Sequence, residues 1–113
     1  MRTVWLLRGG DVLASGEVAE SFTDRARGLL GHAHYDGALL LLGTRTVHTA
    51  GMRFPVDVAF LDKDLYVLAT TTLRTWSVAL PRRRGAHILE AQAGAFERWR
   101  LEAGDQIEIR ETT

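Results

Sequence analysis

The longest unbroken apolar run in this chain is only five residues, Ala38–Leu42, and glycine, aspartate or proline signals recur between the apolar segments. A bilayer-spanning helix needs roughly 20 consecutive apolar residues, so no membrane span is expected. What remains is a set of short strands joined by turns. Thr3–Leu7, β-branched, aromatic and aliphatic, reads as a strand. Gly9-Gly10-Asp11 reads as a turn, and Val12–Ala14 as the returning arm of a hairpin. Val56–Leu61 and Leu65–Leu73 form a second such pair around Asp62-Lys63-Asp64. Ala38–Leu42 does not alternate, which predicts a strand buried on both faces. Val47–Thr49 is extended, Gly51 breaks it, and Pro55 forces Phe54 out of the helical region. Ile88–Gln92 is a further strand. Ile107-Glu108-Ile109, after the Gly104-Asp105 turn, alternates and should be half exposed. Arg74–Gly85, with Trp76, Pro81 and three consecutive arginines, is the longest irregular stretch.

Two helices are predicted. Ser21 is suited to an N-cap with Asp24 three residues on. Phe22, Ala26, Leu29 and Leu30 then make one helical stripe, and Gly31 stops it. Gly94–Trp99 is the second, with Phe96 and Trp99 at i, i+3 as core contacts. The expected fold class is α+β, mainly antiparallel β: a small partly closed barrel of about seven strands with two short helices. At 113 residues the chain is a single domain, 1–113.

Fourteen basic and fourteen acidic residues cancel, so no global field draws in nucleic acid or an anionic membrane. There is no cysteine, which excludes disulfides, thiol nucleophiles and thiolate metal sites. Met1–Asp11 has neither the apolar length nor the small-residue cleavage site of a secretory signal, and the expected location is cytoplasmic. No phosphate loop, dinucleotide fingerprint, H-E-x-x-H pattern or nucleophile elbow occurs, so no cofactor is expected.

Chemistry concentrates in Val47–Asp57. Gly51 and Pro55 shape the backbone there, and His48, Met52 and Arg53 hang from it. On the next strand Val56, Val58 and Phe60 share one face, and Asp57, Ala59 and Leu61 the other. Asp57 is thus a carboxylate among apolar neighbours. If buried it must find donors, a cation or a proton, with Arg27, Arg45 and Arg53 as the cations at hand. It either anchors a ligand-binding arginine or simply ties the loop to the strand. His48 is either a general base or ligand contact, or a packed residue. His32 and His34 beside Asp36 form an H-x-H pair on a loop, short of the three or four ligands that zinc requires. Arg82-Arg83-Arg84 with Trp76 nearby is either a phosphate or nucleic-acid contact or a solvated loop.

Several separated motifs, in order, resemble domain-of-unknown-function family 192. They are Arg25-Ala26-Arg27-Gly28-Leu29-Leu30, Asp36-Gly37-Ala38-Leu39-Leu40, the Val47–Asp57 cluster, Val58-Ala59-Phe60-Leu61-Asp62, Leu89-Glu90-Ala91-Gln92-Ala93-Gly94 and Ala103-Gly104-Asp105. The likeness runs from about 18 to 109. It implies a small, mainly β domain with a helix near the N-terminus, and no established activity. Where many members have an aromatic-methionine-lysine-asparagine stretch before the proline, this chain has His48-Thr49-Ala50-Gly51-Met52-Arg53.

The expected function is a non-enzymatic binding module. Its cleft, lined by Arg27, His48, Met52, Arg53 and Asp57, would hold a small or anionic ligand. One alternative is an enzyme using His48 and Asp57 as an acid–base pair. Another is an accessory protein that pairs through exposed strand edges such as Ile107–Ile109. The partner is a small ligand or a protein, and nucleic acid is the least supported.

Overall fold

The structure, a computed structural model, describes residues 2–20, 37–49 and 53–112. Its strands are β1 (Arg2–Arg8), β2 (Asp11–Ala19), β3 (Ala38–Leu41), β4 (Val47–His48), β5 (Val56–Leu61), β6 (Val67–Leu73), β7 (Val78–Ala79), β8 (His87–Gln92) and β9 (Glu108–Glu111). One helix, α1 (Ala95–Trp99), lies among the described residues. The expected helix over Ser21–Gly31 falls outside them. Seven strands form one sheet in the order β6-β5-β8-β3-β2-β1-β9, and β4 and β7 form a separate two-stranded ribbon. All pairings are antiparallel except β2 with β3.

The β1–β2 hairpin turns at Gly9 and Gly10, both at positive φ (57° and 87°), where a side chain would be strained. The central strands β3 and β5 are buried at every position, which is the reason they lack alternation. On one face Leu6, Val18, Leu40, Leu61 and Leu89 pack against Phe96 and Ala95 of α1. On the other, Leu39, Leu41, Val56, Val58, Phe60 and Ile88 pack beneath Val47, Phe54 and Ala79, so the ribbon covers this second face. Phe96 and Trp99 do meet, with ring centroids 5.6 Å apart.

The partly closed barrel requires correction: the sheet is not closed. Among the described residues its two edges meet around the bridge of Tyr66 with Gln106, where Val67 N–H donates to Asp105 O at 2.8 Å, Gly104 N–H to Val67 O at 2.9 Å and Ile107 N–H to Leu65 O at 2.9 Å. Beyond that point no ladder continues. A cleft of about 680 Å³ opens between Thr70–Thr72 of β6 and Glu97, Arg100 and Glu102 around α1. Along this stretch the edge of β6 faces α1 and the turn after it, not β9.

Candidate functional site

Asp57 is buried, and among the described residues its carboxylate is satisfied by hydrogen-bond donors rather than by a cation. Oδ2 accepts the N–H groups of Gly94 (3.0 Å) and Phe96 (3.1 Å), and Oδ1 accepts the Thr72 hydroxyl (2.7 Å). Helix α1 has Gly94 at its N-cap, in a left-handed conformation and with no side chain to cap with. Asp57 supplies that cap from a strand 37 residues away in sequence. A negative charge at a helix start is also favoured by the peptide dipoles. The arginines offered as partners go elsewhere or lie outside view. Arg45 Nε donates to Gly85 O at 3.1 Å, Arg53 is exposed, and Arg27 falls outside the described residues with Met52.

His48 and Asp57 do not meet. Asp57 points to the α1 face, whereas His48 is exposed on the ribbon that covers the opposite face. The acid–base pair is therefore corrected: two groups on opposite sides of a close-packed sheet cannot exchange a proton directly or through one water. His32, His34 and Asp36 fall outside the described residues, among which no cluster of three or more metal-ligating side chains occurs. The β9 edge is four residues long and carries Glu108, Arg110 and Glu111, charges that blunt an edge against pairing.

The ribbon presents a different surface. Val47 and Ala79 are paired and turn inward, while His48 and its partner Val78 turn outward. The alternation extends beyond the strand. Trp76, Val78 and Leu80 are 75%, 63% and 75% exposed, with Ala79 buried and Ser77 half-buried between them. Thr49, fully buried, holds the turn in place. Its hydroxyl donates to Arg74 O at 2.6 Å and accepts Ser77 N–H at 2.7 Å, and its carbonyl accepts Trp76 N–H at 3.2 Å. The following loop is pinned as well. Gly85 N–H donates to Arg82 O at 2.9 Å, and the Arg82 guanidinium lies 5.1 Å from the centre of the Phe60 ring.

Charge is segregated around this surface. Residues 37–56 and 65–89 hold Arg45, Arg53, Arg74, Arg82, Arg83 and Arg84, and not one aspartate or glutamate. None of these six forms an ion pair among the described residues; the ion pairs there belong to Arg2, with Glu20 and Glu111, and to Arg8, with Asp105. The zero net charge of the chain conceals this imbalance.

Beneath the ribbon face lies a feature that the sequence reading passed over. Glu90, in the middle of β8, pairs with Leu39 and Val58 and is 2% exposed, and its Oε2 has no hydrogen-bond partner. Desolvation by burial pushes its carboxyl up to about 7 from the usual 4.5. The signal was the same as for Asp57, a lone carboxylate in an apolar strand. His87, at the start of β8, accepts Gly43 N–H at Nδ1 (2.8 Å), and burial lowers its pKa against the opposing pull of Asp62.

Comparison with known proteins fits this architecture. The DUF192 family model, described as "Uncharacterized ACR, COG1430", matches residues 6–109. A UPF0127 protein of Pyrococcus abyssi is 33% identical over 99 residues, 81% of this chain and 83% of its own length. A UPF0127 protein of Pyrococcus horikoshii is 33% identical over 95 residues, covering 80% and 83%. Among solved structures, a candidate transcription regulator from Sinorhizobium meliloti 1021 superposes with a TM-score of 0.80 at 21% identity, covering 95% of this chain and 92% of that one. A protein of unknown function from Novosphingobium aromaticivorans gives a TM-score of 0.76 at 17% identity, covering 94% and 83%. These two share the fold. With the family model spanning nearly the whole chain, and with relatives of this identity, the protein belongs to domain-of-unknown-function family 192.

Proposed function

We propose that this chain is a non-enzymatic binding module that takes an anionic ligand on the face built by β4, β7 and the loop after β7. The observation that carries the reading is the charge segregation: six arginines and no carboxylate across 37–56 and 65–89. Guanidiniums with no carboxylate partner among the described residues create a local positive field, whatever the total charge. Each also offers a planar fork of donors matched to phosphate or carboxylate. His48 and Arg53 belong to this site. Arg27 and Met52 remain candidates on the segments that flank it in sequence. Asp57 contributes to the scaffold, since both its oxygens are engaged on the far face.

The test is a titration of the intact chain with inorganic tripolyphosphate, followed by amide chemical shifts. Saturable shifts confined to His48, Arg53 and 74–85, weakening as salt is added, are expected. Shifts centred on α1 and β9, or none at low ionic strength, would refute the reading.

A further inference from the structure

Resting on the reading of this face as an anion-binding surface, we infer that its partner is the surface of an anionic phospholipid bilayer. A basic face alone would suit any polyanion. What distinguishes this one is the apolar stripe within it. Trp76, Val78 and Leu80 are all exposed, with Ser77 half-buried and Ala79 buried between them, so three large apolar side chains meet solvent within five residues along β7 and its flanks. Arg74 precedes the stripe and Arg82, Arg83 and Arg84 follow it.

The stripe is not explained by folding. Trp76 sits at φ 58°, a left-handed conformation that disfavours a bulky side chain, and the residue is 75% exposed. Neither core burial nor backbone preference calls for tryptophan there. The platform is also preorganised, because Thr49 fixes the turn and the Arg82–Phe60 and Arg45–Gly85 contacts fix the loop. Docking therefore requires little ordering.

Other anionic partners match less of the surface. Single-stranded nucleic acid stacks its bases on aromatic rings, and the stripe offers one such ring among two aliphatic side chains. A second copy docked face to face would bring the same six guanidiniums together. A bilayer interface accommodates every element at once: aliphatic side chains enter the acyl boundary, tryptophan sits at headgroup depth, and arginines meet lipid phosphates. The chain lies on such a surface rather than crossing it, since no helix among the described residues is long and apolar enough to span.

The experiment is vesicle flotation of the intact protein. It uses phosphatidylcholine alone and phosphatidylcholine mixed with phosphatidylglycerol, alongside the tripolyphosphate titration. The protein should float with the mixed vesicles only, and a blue shift in tryptophan emission should disappear in Trp76→Asn. Arginine near an anionic surface is worth about fivefold in partitioning, so Arg82→Ala, Arg83→Ala and Arg84→Ala together should weaken binding about a hundredfold. Leu80→Ser, at an exposed position, should weaken it severalfold with the thermal melt unchanged. Equal binding to both vesicle types would overturn the inference. So would binding to mixed vesicles that is indifferent to Trp76→Asn and Leu80→Ser, because adsorption would then be charge alone. If tripolyphosphate binds and vesicles do not, the bilayer inference fails and the anion site stands; if neither binds, both fail. Capture of oligothymidylate with quenching of Trp76, or a dimer abolished by Leu80→Ser, would reassign the stripe.

Discussion

Replacing Glu90 with glutamine should stabilise the protein at alkaline pH and do far less at acid pH. In the folded chain the Glu90 carboxyl titrates at about 7, against 4.5 when unperturbed, because burial penalises its charged form. Between those values the native state holds a proton that the unfolded state has released. Stability therefore falls as pH rises through this window, is unaffected by Glu90 below it and levels off above it. A gap of about 2.5 pH units, at about 1.4 kcal/mol each, makes the penalty about 3–4 kcal/mol above the window. With an unfolding entropy of roughly 2.1 cal/mol/K per residue, the 113 residues convert this to roughly 15 °C in melting temperature. The buried amide of glutamine has its own unmet hydrogen bonds, a cost that is the same at every pH, so the informative quantity is the change in the variant-minus-wild-type difference. The assay is calorimetry or circular-dichroism melting of both proteins from about pH 4.5 to about pH 8. Titration of His87 runs in the opposite sense and cancels in the difference: its folded pKa is lowered, so it contributes stability that grows as pH rises through its usual range. Parallel melting curves across the whole range would refute the reasoning and show that Glu90 ionises freely.

Three further outcomes follow from the packing. Asp57→Ala leaves Gly94 and Phe96 N–H and the Thr72 hydroxyl without their acceptor and should cost about 2–4 kcal/mol in urea unfolding, with Asp57→Asn costing less. Thr49→Val keeps the shape but removes the bonds to Arg74 O and Ser77 N–H; it should cost about 1–2 kcal/mol and speed hydrogen exchange at Trp76 and Ser77. At Gly16 an added Cβ would lie 3.0 Å from Ala38 O and 3.1 Å from Leu6 Cδ1, so Gly16→Val should destabilise by about 1–3 kcal/mol in the same unfolding assay.

The strands were largely legible because their apolar residues repeat with the period of the pleat. Val56–Leu61 coincides with β5, and the unbroken apolar run at Ala38 marked a strand covered on both sides. The need of Asp57 for partners was also legible, but their identity was not. The amides of Gly94 and Phe96 come from a helix that only the tertiary fold brings to β5, whereas arginines near in sequence were the visible choices. Closure of the sheet depended on whether β6 and β9 could form a ladder, a matter of where α1 sits rather than of local pattern. Val47–Thr49 was read as extended and holds β4, but its partner β7 was hidden inside a stretch read as irregular, because two paired residues make too short a strand to register. Its period-two alternation, Trp76-Ser77-Val78-Ala79-Leu80, and the absence of acids around it were present in the sequence all along. Summing charge over the whole chain erased the second of these.

The proposed anion-binding face is set by the position of its arginines, not by total charge. Two double charge reversals measure this directly: Arg83→Glu with Arg84→Glu on the loop after β7, and Arg98→Glu with Arg110→Glu on α1 and β9. All four side chains are exposed, and both variants carry the same net charge. Tripolyphosphate affinity, measured by calorimetry at low salt, should collapse in the first variant and stay within about twofold of wild type in the second. Equal losses in the two would contradict the claim.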